Sequence, residues 1–381
     1  MTMRITLKHF SASICAGFTL VIATMSASAL PASAGTTNDI FTRKVMLKAM
    51  AQNCIVPGII GLSTGADALF QASQKLLDEP NEASLDAARA AWRQLQSTYA
   101  SQNMLFYGPV ENQTFWQENF YRRVHPQLLE YGIDGRMPID SDAIERGGAQ
   151  VKGFATAEYL LFGPVTPPQR PGGRIATNSV ESWLLRGNTS MRRRQYLCEV
   201  TRNLDQQLQA AARQARDEKF PDDFASKGQT SVNLLVNELT VALETDLTLP
   251  LQDYVRIPNW QQRVARDQAN ETEGDSSGTT FSEMKMSLAG LRRFYSGGGG
   301  TGLKDYLQQF NPGLADRLEL QFQATAAALD ALDHSTQSKM LAQRPALQNT
   351  LEQTHKLEIL LKVDLTSALG VTIMFNAYDG D

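Results

Sequence analysis

Hard oxygen ligands are the chemistry this sequence offers most readily. Glu111, Glu118, Glu145 and Glu158 lie in its first half, and Asp379 and Asp381 close its second. Carboxylates of this kind suit iron(III), and a site between the halves could be built from them. A chain with 40 acidic residues forms many such sets by chance, so the set alone does not define a site. Zinc hydrolysis asks for nitrogen ligands in an arrangement such as H-E-x-x-H, which the sequence lacks. Apart from His9, the histidines are His125, His334 and His355, far apart in the chain. His125 precedes Pro126 at a helix edge, His334 sits near a helix end, and His355 lies among polar neighbours. Each reads as structural or surface before it reads as a ligand.

Other candidates are weighed the same way. Glu158 reads either as a carboxylate turned into a pocket between the halves, beside a buried stripe of Phe154, Ala157 and Leu161, or as a surface or capping residue. If buried, it needs a donor. Trp92, Trp116, Trp183 and Trp260 could line a ligand groove, although aromatic residues at helical spacing are usually core. Trp116, among Gln113, Gln117, Glu118 and Asn119, is the best groove candidate. Gly297 to Gly302 has phosphate-loop spacing, but Leu303 stands where lysine is required and no strand precedes it, so a helix cap is expected. Arg192-Arg193-Arg194 is expected on a solvated face, with anionic lipid as the minor reading. Cys54 and Cys198 could pair in an oxidising compartment or stay as two buried thiols; spacing leaves both open. No local Cys-His arrangement supports a catalytic thiol.

The elements that must position these residues are helices. Apolar spacing predicts a helix over 39–54, broken or kinked at Pro57-Gly58 and resuming through Leu69 and Leu77. Ser84 is a plausible N-cap for a helix through Trp92, Tyr99 and Leu105, stopped by Gly108-Pro109. A shorter helix is expected over 115–131, disturbed by Pro126. Another runs from about 153 to Gly163-Pro164, and a long one over 179–215. Four more follow, at about 229–246, 282–295, 313–335 and 345–369. Residues 268–280 read as a loop, and Ile373-Met374-Phe375 is the single late strand-like scrap. Periodicity supports an all-α chain.

Four segments carry a resemblance. Gly153-Phe154-Ala155-Thr156-Ala157-Glu158-Tyr159-Leu160-Leu161-Phe162-Gly163 resembles the Gly-x-His-x-x-Glu signature of the imelysin family, with Ala155 where the family has histidine. Ala91-Trp92-Arg93 with Tyr107-Gly108-Pro109-Val110, Leu288 to Tyr295, and Leu369 to Asp381 resemble its first-half, second-half and closing patterns. The resemblance implies two packed helical bundles with a cleft between them, residues 35–220 and 221–381. It also implies a binding role, with iron or another metal ion as a ligand; the family was named for peptidase activity (peptidase M75). A His and a Glu three apart share a helix face and can share a metal, but alanine has no lone pair to give. The resemblance makes Glu158 and Arg292 a candidate buried pair. Glu158, Arg292, Trp116 and Glu111 are the candidate ligand contacts, with Glu158 the candidate metal contact and no catalytic residue assigned. A metallopeptidase and a ligand-free envelope scaffold are the alternatives.

Targeting and charge complete the expectation. Arg4 and Lys8, the apolar run Ile14–Met25 and Ala32-Ser33-Ala34 read as a secretory signal peptide, residues 1–34. Ala27-Ser28-Ala29 is a rival cleavage site, an uncleaved anchor is the alternative, and Cys15 does not fit a lipoprotein. Removing 34 residues from 381 leaves 347, and the loss of Arg4 and Lys8 takes the formal charge from −4 to −6. That balance argues against nucleic acid as a partner. No later stretch has about 18 unbroken apolar residues, so no transmembrane segment is expected in the mature chain. The expected setting is the periplasm or cell envelope, with a small ligand, a metal ion or an envelope protein as partner.

Overall fold

The computed structural model describes residues 37–102, 119–120, 124–135, 138–163, 184–187, 189–256, 277–332 and 343–372. Glu111, Glu118, Trp116, Trp183, Trp260, His334, Asp379, Asp381 and the 373–375 scrap lie outside the described residues. The described chain is all-α.

In chain order the helices are α1 (Thr37–Met50), α2 (Val56–Asp78), α3 (Glu82–Ala100), α4 (Pro126–Asp134), α5 (Ser141–Glu145), α6 (Gly153–Phe162) and α7 (Ser190–Ala215). They continue as α8 (Phe220–Ser226), α9 (Gln229–Leu243), α10 (Leu249–Arg256), α11 (Thr280–Tyr295), α12 (Leu303–Gln308), α13 (Pro312–Asp330), α14 (Arg344–Ile359) and α15 (Thr366–Leu369). In the first half, α2 packs on α3 and α7, and α6 packs on α7. In the second, α13 packs on α14 and α11, and α11 also meets α9. Fully buried Leu62, Trp92, Leu197, Leu235, Leu291 and Phe322 belong to one continuous apolar core.

Pro57 does not break the first helix. A π-helical turn at Ala51–Ile55 links α1 to α2, and the extra residue eases the proline ring past the preceding turn. Pro57 has no N–H for the carbonyl four residues back, and that carbonyl, of Asn53, accepts a bond from Arg293 Nη2 at 3.2 Å instead. Residues Thr42–Asp78 are long and apolar enough to cross a membrane, yet half of their most apolar window is buried in protein, where α2 meets α3 and α7. Two more π-turns, at Glu244–Thr248 and Leu360–Leu365, are tied by Lys362, whose Nζ lies 2.7 Å from Glu244 and 2.8 Å from Glu358.

The cap of α3 differs from expectation by three residues. Asn81 is the N-cap, its Oδ1 accepting from Ser84 N at 2.9 Å, while Ser84 Oγ accepts from Asn81 N at 3.1 Å. This reciprocal box uses Ser84 at the third helical position. Pro126, expected to disturb a helix, opens α4, because a first-turn residue has no intrahelical N–H bond to lose. The expected halves meet where α1 packs on α8 and α12 and where α3 runs against α11. A Cβ at Gly290 would collide with the Ser101 carbonyl, so glycine there sets the closeness of that contact.

Candidate functional site

The signature segment is a short helix buried along almost its whole length. Every residue from Gly153 to Leu161 is buried, and glycines in the left-handed region bracket it, Gly153 at φ 76° and Gly163 at φ 81°. A residue with a Cβ would be strained at either end. Phe154 stacks on Trp92 at 4.8 Å between ring centroids and lies 5.9 Å from Phe120, which stacks on Tyr99 at 4.3 Å. Trp92 Nε1 donates to the Phe154 carbonyl at 3.4 Å. At the helix end, Arg89 Nε donates to the Leu161 carbonyl at 2.9 Å, a cation placed where α6 exposes its last carbonyls. Trp92 is thus core and clamps the signature helix.

Glu158 is 4% exposed. Its Oε1 accepts from Ser277 N at 3.0 Å and from Ser277 Oγ at 2.8 Å. Ser277 stands just before α11, and its Oγ also lies 2.6 Å from Thr279 Oγ1. The carboxylate therefore reaches from the signature helix to the residue just ahead of α11. The expected pair with Arg292 does not form. Arg292 is bonded to Glu319 on α13, whose other oxygen faces Lys304 at 3.4 Å. Arg292 lies in the last turn of α11, and Ser277 precedes its first, so one helix length separates them.

The residues at the signature do not fit a metal ion. Ala155 supplies no donor, and one Glu158 oxygen already accepts two hydrogen bonds. Among the described residues no three His, Cys, Asp or Glu side chains converge. Glu145 accepts from Asn203 Nδ2 at 2.5 Å, apart from Glu158. His125 caps α4 by accepting from Leu128 N at 3.2 Å, and His355 lies 3.2 Å from Gln252 Nε2 on the surface. Cys54 and Cys198 are both free and buried. Burial pushes the Cys54 thiol up to about 11 against the opposing pull of Arg293, which keeps it protonated near neutrality. Cys198 Sγ lies 3.3 Å from Gln74 Oε1.

The arginine run is the largest departure from expectation. Three consecutive helical residues span about 200° of the helix circumference, so they cannot all face one solvated side. Arg192 Nε donates to the Ile133 carbonyl at 2.7 Å, and Arg194 Nη1 to the Leu184 carbonyl at 2.5 Å. Arg193, 1% exposed, forms a two-pronged ion pair with Glu130 of α4. Tyr159, the residue after Glu158, donates its hydroxyl to the same Glu130 at 3.1 Å. This Glu130–Arg193–Tyr159 cluster escapes sequence reading because its members lie up to 63 residues apart. The adjacency of Tyr159 to Glu158 and the triple arginine are its visible traces.

A concavity of about 590 Å³ lies between α11 and α13, beside the glycine turn at 297–302. Arg292, Glu319, Lys304 and Lys285 border it. The turn is a helix cap, as expected: Gly298 N donates to the Arg293 carbonyl at 2.9 Å, and Gly297 N to the Phe294 carbonyl at 3.0 Å.

Comparison with known proteins places this arrangement. A curated relative from Synechococcus elongatus, iron-regulated protein A, is 23% identical over 345 residues, covering 84% of each chain. A crystal structure of an imelysin-like protein from Psychrobacter arcticum 273-4 superposes with a TM-score of 0.65 at 16% identity, over 88% of this chain and 98% of that one. A structure provisionally named an iron-regulated protein A precursor, from Parabacteroides distasonis ATCC 8503, gives 0.70 at 16% identity, over 89% and 97%. The imelysin family model (peptidase M75) matches residues 57–361, a span that contains α6, Glu158 and Arg292, and the chain belongs to the imelysin family.

Proposed function

We propose that this chain is a secreted binding protein of the periplasm or cell envelope that serves iron physiology without catalysing peptide hydrolysis. Its signature glutamate joins the two helical halves and does not complete a metal shell. The observation that carries this reading is the pair of hydrogen bonds from Ser277 to Glu158 Oε1, opposite a signature position held by Ala155. A carboxylate with one oxygen held by two donors, and alanine three residues before it, lacks the nitrogen companion that the signature would give a metal ion. Zinc peptidases also need a general base beside the metal-bound water, and among the described residues no group of three or more His, Cys, Asp or Glu side chains could hold the metal. The iron connection rests on relatives named for iron regulation. Secretion rests on Arg4, Lys8 and the apolar run ahead of Ala34, together with the word precursor in one relative's name.

A peptide-cleavage assay on the purified mature chain, with and without chelator, tests the non-catalytic part. The expected result is no cleavage above the buffer rate in either condition. Chelator-sensitive cleavage that is lost in Glu158→Gln would overturn it.

A further inference from the structure

Four side chains join α6 to the start of α11 in an unbroken row of oxygens. Glu158 Oε1 lies 2.8 Å from Ser277 Oγ, and Ser277 Oγ lies 2.6 Å from Thr279 Oγ1. Thr279 Oγ1 is in turn hydrogen-bonded to Glu283 Oε1, one turn into the helix. The row thus has a carboxyl group at each end and two hydroxyls between them. Glu158 is buried, whereas Ser277, Thr279 and Glu283 are half-buried.

Each of the three oxygen-to-oxygen contacts needs one hydrogen between its atoms. A hydroxyl carries a single hydrogen, and an ionised carboxylate carries none. Ser277 and Thr279 therefore supply two hydrogens for three contacts. With both glutamates ionised, one contact sets lone pair against lone pair at hydrogen-bond distance. Only a carboxyl group of the row can bring the third hydrogen. In one arrangement protonated Glu283 donates to Thr279, Thr279 donates to Ser277, and Ser277 donates to ionised Glu158. In the other, protonated Glu158 donates to Ser277, Ser277 to Thr279, and Thr279 to ionised Glu283. Moving all three hydrogens one step along the row converts the first into the second. The first matches the two donations from Ser277 to Glu158 Oε1. Either way the row keeps one negative charge, which the amino end of α11 favours.

The charged groups of the neighbouring elements have contacts of their own. On α3, Arg89 donates to the Leu161 carbonyl and Arg93 lies over the Phe162 ring, both at the far end of α6. On α7, Arg193 pairs with Glu130, and ahead of α6 Lys152 donates to the Glu145 carbonyl. Further along α11, Lys285 pairs with Asp330 of α13, and Ser287 donates to Asp246 of the π-turn. Glu238 is the one titratable side chain of α9. We infer that the row from Glu158 to Glu283 is a proton-binding site: at neutral pH it holds one proton, carried by Glu283 and shared through Thr279 and Ser277 with Glu158, and losing it loosens α6 from α11. The inference rests on the reading of Glu158 as a latch and makes that latch pH-dependent.

A proton bound in the folded state and absent from the unfolded one makes stability fall as pH rises. The contribution is complete below the ordinary glutamate value of about 4.3, and above it the unfolding constant grows by up to about tenfold per pH unit until the folded protein releases the proton. Urea unfolding of wild type, Glu283→Gln and Thr279→Val from pH 5 to pH 8.5, in buffer with chelator, tests this. The amide of Glu283→Gln donates to Thr279 without a titrating proton, and Thr279→Val cuts the row. Glu238 is common to all three proteins and drops out of the comparison. The unfolding constant of wild type should rise at least fivefold relative to each variant over that range. A ratio that stays constant or falls, for either variant that folds, would overturn the inference. It would leave the latch itself standing, because the coupling of Ser277 to Glu158 is measured separately at a single pH.

Discussion

Glu158 Oε1 lies 3.0 Å from the backbone nitrogen of Ser277 and 2.8 Å from its hydroxyl, across 119 residues of sequence. One side chain thus supplies the signature helix with a contact to the entrance of α11. Hydrogen bonds to a charged group contribute about 1.5–3 kcal/mol, and a buried carboxylate without donors is costly. Ser277→Ala keeps the backbone donor and loses the hydroxyl, so it should destabilise by about 1–2 kcal/mol. Urea unfolding of Ser277→Ala, Glu158→Gln and the double variant should give a coupling energy of the same sign and size. Strict additivity would show that the two residues do not act as a latch.

The Glu130–Arg193 pair predicts a larger loss. Removing one member of a buried ion pair strands the other and costs about 3–5 kcal/mol, whereas replacing both with apolar residues is often close to neutral. Arg193→Met should therefore lower the melting temperature sharply, and adding Glu130→Leu should restore most of it. Tyr159→Phe, which removes one donor to Glu130, should cost about 1–2 kcal/mol. A mild Arg193→Met variant would contradict the burial of this pair.

Glu238 on α9 predicts a pH dependence. It is half-buried by exposed area, yet burial pushes its carboxyl up to about 8. A carboxyl with a raised pKa favours the folded state most when protonated. Its contribution is complete below the unfolded value near 4.5 and is lost as pH rises towards 8. Glu238→Gln should flatten stability between those limits and stabilise the protein at pH 8.5, by roughly 2–3 kcal/mol. Chemical denaturation at pH 5 and pH 8.5 checks this; an equal effect of the variant at both would contradict it.

The all-α class and most helix positions were legible because apolar spacing reports directly on which face is buried. α9, α11 and α13 begin within two residues of the expected starts. Proline was the weakest guide. Pro57 and Pro126 were read as interruptions, but one follows a π-turn, with the carbonyl it leaves free taken up by Arg293, and the other opens a helix, where no N–H bond is lost. Glu158 was legible only through the family pattern. Its partner was not, since Arg292 and Ser277 flank the same helix and nothing local tells which end meets α6. The Arg193 pair was hidden for a different reason: a charged run looks solvated until the packing around α7 is known.

The most direct test of the central claim is the thermal shift of the mature protein with Fe(III)-citrate, citrate alone, Fe(II), Zn(II) and Cu(II), in wild type and Glu158→Gln. A latch predicts that no metal gives a stabilisation dependent on Glu158, so the metal-induced shifts of the two proteins coincide. Stabilisation by one metal that vanishes in Glu158→Gln would mean that the signature carboxylate binds metal without its histidine, and the account would fail.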